Sequence, residues 1–223
     1  MAEHKTHEQV HEERNEVLGP KLGPLYQGLY EEVTWLHAKW KQYRILFAES
    51  PGRIRLLNEV AGFFFRVIQD VLWEDVVLHI ARLTDPPKSA GKDNLTLLRL
   101  EGALTEQALT EPALSVEVAT LVERARMAAK FARDWRNRRL AHRDLSLAIE
   151  NGVRPLPGIS RADVENALDG IWAVLNKIEG HFFQSQVAFE EFLASDDAES
   201  LACYLELAVD RRRESLKSGC IPA

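Results

Sequence analysis

Apolar side chains recur every three or four residues in each long segment of this chain, and nowhere do they alternate for long with polar ones. That period belongs to helices, whereas a strand would need a period of two. The clearest stretch is Val164, Leu168, Ile171, Leu175, Ile178 and Phe182, which fall on one side of a helix. Leu29, Val33, Leu36, Trp40 and Tyr43 mark a first long helix over 25–47, with Trp35 and Trp40 expected to anchor its packing. Residues 53–84 are apolar almost all round, which is the mark of a helix at the buried centre of a bundle. Of their polar exceptions Asn58, Asp70, Asp75, His79 and Arg82, the last three share a face and are expected to form a ladder. The fold class this predicts is all-α, an antiparallel helical bundle with additional helices.

Local signals punctuate the helices. Ser50-Pro51 supplies an N-cap and a proline for the first turn, and Asp85-Pro86-Pro87 ends the central helix by removing donors. A polar loop over 88–93 follows, and Asp93 or Asn94 is expected to cap a short helix through Leu95, Leu98 and Leu100. Ser160 with Asp163 resembles a capping box, with aspartate in place of glutamate. A last helix over about 199–216 ends in Arg211-Arg212-Arg213. Gly19-Pro20 and Gly23-Pro24 would interrupt a helix near the start, so residues 1–22 are expected to form a polar, loosely docked arm. Residues 23–218 would then be a single helical domain and 219–223 a tail. His4, His7 and His11 have a spacing that on a helix presents imidazoles to zinc or nickel, but a frayed terminus cannot hold them, and no metal site is expected.

A chain of 223 residues with 46% hydrophobic content can build one core. It has no apolar run near the roughly 20 residues that span a bilayer, and Met1 to Glu16 lacks a secretory h-region. Cys203 and Cys220 read as free thiols. The expectation is a cytoplasmic protein that does not engage membranes. The formal charge of −6 argues against indiscriminate nucleic-acid binding, but its distribution matters more. Between Glu123 and Arg143 eight basic residues face two acidic ones, a local surplus of +6 on a body that must carry −12. That is a local anion site rather than a long duplex-binding surface.

The surplus peaks in Arg133-Asp134-Trp135-Arg136-Asn137-Arg138-Arg139-Leu140-Ala141-His142-Arg143-Asp144. Arginine forks hold phosphate oxygens bidentately, and a histidine exchanges a proton near neutral pH. Together they are a minimal kit for cutting an RNA backbone. The plainer reading is a solvated arginine face with a histidine at a helix end. The preceding stripe of Val118, Leu121, Ala125, Ala128, Ala132 and Trp135, continued, arrives at Arg139 and His142. Polar groups then stand where the pattern asks for buried apolar ones, so they are expected to face a cleft or a second subunit.

Arg136, Asn137 and, five residues further, His142 resemble the signature of the HEPN superfamily, an arginine followed by a polar residue and then a histidine. Leu57-Asn58-Glu59-Val60-Ala61, Phe63-Phe64-Phe65-Arg66, Leu83-Thr84-Asp85-Pro86 and Asp93-Asn94-Leu95 are similar to its abortive-infection U-type branch, over roughly residues 20–190. The resemblance implies an HEPN-like bundle and a toxin or phage-defence effector that cleaves RNA to a 2′,3′-cyclic phosphate. It implies catalysis by Arg136, Asn137 and His142, and a homodimer that brings two such motifs to one cleft. Some HEPN toxins carry a tyrosine two residues after the histidine that a partner enzyme modifies. Here that position is Asp144, so an antitoxin protein would act by contact.

Residue chemistry supports the same roles. His142 would transfer the proton, Arg136 clamp the phosphate and Asn137 orient it, with Arg133, Arg138, Arg139 and Arg143 on the RNA backbone. No glycine-rich phosphate loop, nucleophile elbow or Cys-x-x-Cys pair is present, and no cofactor is expected. One histidine is sparse for acid and base work together, and symmetric pairing along the Val118 to Trp135 stripe would supply a second. The alternatives are a non-catalytic HEPN-type module binding RNA, nucleotide or a partner protein through the same stripe, and a purely structural helical protein.

Overall fold

The computed structural model describes residues 7–89, 91–107, 112–140, 158–187 and 197–218. Among them the order is α1 (His7–Phe47), α2 (Pro51–Leu83), β1 (Lys88–Ser89), β2 (Lys92–Asp93), α3 (Leu98–Gln107), α4 (Pro112–Ala128), α5 (Lys130–Trp135), a π-turn (Arg136–Leu140), α6 (Arg161–Phe182) and α7 (Asp197–Lys217). The all-α expectation holds. The one pair of strands is a two-residue antiparallel ladder, Lys88 opposite Asp93 and Ser89 opposite Lys92, within the segment read as a polar loop. Gly91 takes a positive φ of 78° at its turn, a conformation that suits glycine.

Contacts divide the chain into two compact units, 1–36 with 77–188, and 37–76 with 189–223. In the first unit Leu18, Leu22, Leu29 and Val33 of α1 are buried with Val77, Ile80, Ala81 and Leu83 of α2. His79 Nε2 lies 2.8 Å from Glu32 Oε2 and Arg82 Nη2 lies 3.8 Å from it, so Glu32 joins the end of α2 to α1. The ladder read along α2 is thus replaced by contacts to α1. Helix α4 buries Leu114, Val118, Val122 and Ala125, and α6 buries Val164, Leu168, Ile171 and Leu175. Lys177 pairs with Glu117 at one end, while at the other a Cβ on Gly170 would lie 3.1 Å from the Ala125 backbone. That close approach leaves little room for a larger residue. It also corrects the stripe expected to face a second subunit: Val118, Ala125 and Ala132 point into this unit's own core.

The start of α1 departs from the expected loose arm. Gly19, at φ 76°, confines the break to one residue, and helix continues on both sides. Leu18 and Leu22 are buried, and Arg14 reaches Glu179 of α6 at 3.3 Å. Tyr26 donates to Glu179 at 2.5 Å and Ser185 donates to it at 3.0 Å, while the Arg14 guanidinium lies 4.3 Å over the Tyr30 ring. A carboxylate this deep stays charged only if its oxygens are met by donors. Burial and then the Glu179 bond push the Tyr26 hydroxyl well above its ordinary pKa.

In the second unit Lys39 pairs with Asp75 at 2.5 Å, and Trp73 packs on Tyr43 at 5.3 Å between ring centres. Ile45, Leu46, Leu57, Phe65 and Ala198 form the core. Ser50 caps α2 as expected, accepting from the Arg53 amide at 3.1 Å. Helix α2 was expected to be buried all round, yet Val60, Phe63, Phe64, Val67 and Val71 are exposed, Phe63 to 85%. Among the described residues of this unit, one face of α2 packs inward and the other is left exposed. Trp40 is buried as expected, whereas Trp35 is 68% exposed.

Ser160 and Asp163 form a full capping box on α6. Asn94 does not cap α3; its amide instead donates to the Pro86 carbonyl at 2.9 Å. Cys203 is a free, exposed thiol. No helix among the described residues is long and apolar enough to cross a membrane. Residues 1–6, 151–157, Cys220 and the side chains of His7 and His11 lie outside the described residues.

Two predictions follow from the buried charges. Arg14→Ala should lower stability by about 3–5 kcal/mol in chemical denaturation, because it strands Glu179; a loss under about 1 kcal/mol would refute the network. Burial holds His37 down at a pKa of about 4. Below an unfolded value near 6.5 the unfolded chain therefore binds the extra proton. Stability should be full above that value and fall as pH drops toward 4, and His37→Leu should flatten that part of the profile.

Candidate functional site

Helix α2 stops at Leu83, and the next two residues make the site. Thr84 donates its hydroxyl back to the Ile80 carbonyl at 2.9 Å, closing the last turn. Asp85 then places a carboxylate just past a helix C-terminus, where the macrodipole disfavours negative charge. A cation must compensate it. That cation is Arg136, whose Nη1 donates to Asp85 Oδ2. The side chains are 21% and 15% exposed, so the pair is shielded more than a surface bridge would be.

The segment carrying Arg136 is not the continuous helix that the periodicity implies. Helix α4 ends at Ala128, α5 restarts at Lys130, and residues Arg136–Leu140 wind as a π-turn. Such wide turns occur often at functional sites and shift every later side chain off the α-helical register. Arg138 therefore cannot be assigned to the His142 side by counting along an ideal helix. Arg133, three residues before Arg136, donates to the Thr84 hydroxyl at 2.9 Å and to the Arg126 carbonyl at 2.7 Å. Burial, then the charge of Arg126, lowers its pKa from the ordinary value. Two arginines thus fasten the start of the π-turn to the end of α2.

Asn137 completes the arrangement, its Oδ1 accepting from Arg136 Nε at 3.1 Å and from Nη2 at 2.9 Å. Arginine has five N–H donors. Among the described residues three of those on Arg136 are engaged, which orients the guanidinium plane and leaves an edge for an anion. The structure brings Arg133, Arg136 and Asn137 together. Arg138 follows in the π-turn, half-buried. His142, Arg143 and the Arg139 side chain lie outside the described residues.

The loop after α2, which begins at the Arg136 partner Asp85, is braced by its own bonds. Asn94 donates to Pro86 O at 2.9 Å and to Ser89 Oγ at 2.8 Å, and Arg99 donates to Pro87 O at 2.7 Å and to Asp93 at 2.6 Å. Arg99, by hydrogen bond and then by charge, holds the Asp93 carboxyl below the usual carboxylate range. A cavity of about 240 Å³ opens here, its lining including Glu32, Arg82, Asp85, Asp93 and Asn94. No group of three or more His, Cys, Asp or Glu among the described residues is arranged to hold a metal ion.

Sequence reasoning used Asp85 to end a helix and as part of a stretch carrying the resemblance, and missed it as the partner of Arg136. The signal was available: a lone carboxylate beyond a helix C-terminus needs a cation, and the Arg-rich segment is the nearest large supply of them.

A family model described as AbiU2, of the HEPN group, matches residues 19–201, and the chain belongs to this abortive-infection-related family. No curated protein and no solved structure matches it.

If the Asp85–Arg136 bond holds the π-turn in place, Asp85→Asn should lower stability by about 1.5–3 kcal/mol in thermal unfolding. A change under about 0.5 kcal/mol would show that the turn is held by other contacts.

Proposed function

We propose that this protein is a metal-independent endoribonuclease, acting as a toxin or abortive-infection effector in phage defence. The observation that carries the reading is the Arg136 guanidinium, fixed by Asp85 and Asn137 with donors to spare, in a chain of the HEPN AbiU2 family. In this reading Arg136 clamps the scissile phosphate and Asn137 keeps the clamp oriented. His142 takes the proton from the ribose 2′-hydroxyl, whose oxygen then attacks the adjacent phosphorus. The bond to the 5′-oxygen breaks, that oxygen takes a proton, and the products are a 2′,3′-cyclic phosphate and a 5′-hydroxyl end. Arg138, Arg139 and Arg143 bind flanking phosphates, while Arg133 contributes by anchoring the turn.

A homodimer with a composite site belongs to this proposal, because one imidazole per site would otherwise serve as both acid and base. This reading places the pairing surface away from Val118, Ala125 and Ala132, which are buried in the first unit. A contact-acting antitoxin remains part of the reading. The Asp85 ion pair also favours a second reading, in which Arg136 is structural and the basic segment binds RNA or a partner without cutting.

With purified protein, chelator and single-stranded RNA, cleavage to cyclic-phosphate ends is expected. Arg136→Ala or His142→Ala should lower the rate by about 100- to 10,000-fold with the helical circular dichroism unchanged. RNA bound but left intact would replace the nuclease with the binding module. Light scattering should report twice the 25.3 kDa chain mass; a monomer that cuts RNA would remove the composite site.

A further inference from the structure

We infer that the cavity beside Arg136 is a guanine pocket, holding the base of the nucleotide whose ribose carries the scissile phosphate. This deepens the nuclease reading and rests on it. The cavity measures about 240 Å³, just under the roughly 300 Å³ at which small-molecule pockets begin, so it suits a single base. Asp85 lines it and is also the Arg136 partner. A base in the cavity and a phosphate on Arg136 are then separated by one side chain, the reach of one nucleotide.

The lining chemistry selects the base. Carboxylates only accept hydrogen bonds, and three of them, Glu32, Asp85 and Asp93, border the space. Asp85 Oδ1 is buried with no hydrogen-bond partner among the described residues. Guanine alone presents two adjacent donor groups on its Watson–Crick edge, N1–H and the 2-amino group, which one carboxylate can take together. Its other edge offers O6 and N7, the pair that arginine forks grip, and Arg82 stands in the same lining. Adenine, cytosine and uracil each set a single donor group beside acceptors, which a carboxylate would repel. Leu95, 41% exposed, provides an apolar surface for the face of the ring.

The pocket is acidic in composition without being acidic in balance. Asp85 pairs with Arg136, Asp93 with Arg99 at 2.6 Å, and Glu32 lies 3.8 Å from Arg82 and 2.8 Å from His79. Each of these three carboxylates therefore already faces a cation. The bonds from Asn94 and Arg99 hold the loop in place before any base arrives.

Isothermal titration of the full chain with guanosine, inosine, adenosine and uridine 3′-monophosphates, with chelator present, tests the pocket directly. Guanosine should bind about tenfold tighter than adenosine or uridine, and inosine, which lacks the 2-amino group, should fall between. Asp93→Asn and Arg82→Ala should each remove most of the preference for guanosine over uridine. Equal binding of all four nucleotides, or a preference that survives both substitutions, would overturn the assignment. Cleavage of RNA strands with guanosine at varied positions separates the two claims. Selective guanosine binding without cleavage keeps the pocket and rejects the nuclease, whereas cleavage with no preference for guanosine does the reverse.

Discussion

The bond between Asp85 and Arg136 carries more of this site than any other contact. It joins the end of α2 to the start of the π-turn, two places separated by 51 positions in the chain. Neither partner is comfortable alone. Asp85 sits at the wrong end of a helix dipole, and Arg136 is too shielded to be left to water. Pairing removes both penalties and gives the guanidinium a fixed orientation. Arg133 repeats the device one turn earlier on Thr84, so the segment is held at two points before it widens into the π-turn.

The same economy recurs at the other buried charge of the first unit. Glu179 is met by Tyr26, Ser185 and Arg14, and the bonds from Arg14 and Tyr26 tie the first half of α1 to α6. The helix end that bears the site is therefore mounted on a unit whose buried carboxylate is satisfied by donors. Positioning of this kind matters for phosphoryl chemistry, because most of the catalysis would come from where cations and proton donors stand rather than from covalent steps by the protein.

Much of the fold was legible in the sequence because helical periodicity and capping are local. The α6 stripe and its Ser160–Asp163 capping box are the clearest cases. Burial was less legible. The apolar run of α2 says that its residues could be covered, not that they are, and Phe63 and Val71 remain open. Likewise Val118 and Ala125 could have met a second copy as well as α6, since small residues permit either approach. The site was readable as a set of residue types but not as a geometry. A π-turn leaves no periodic trace over five residues, and the pairing of Arg136 with Asp85 depends on a tertiary contact. Asp93 and Asn94 likewise read as capping residues, when their role is to brace the loop beside the cavity.

The claim that Asp85 and Arg136 act as a unit on RNA is open to one direct measurement, a double-mutant cycle on the cleavage rate with Asp85→Asn, Arg136→Lys and the combined variant. If Asp85 works by holding Arg136, the double variant should lose little more than Arg136→Lys alone, because the two effects share one cause. If the losses multiply as independent factors, the carboxylate is not positioning the clamp, and the account of the site given by this pair is wrong.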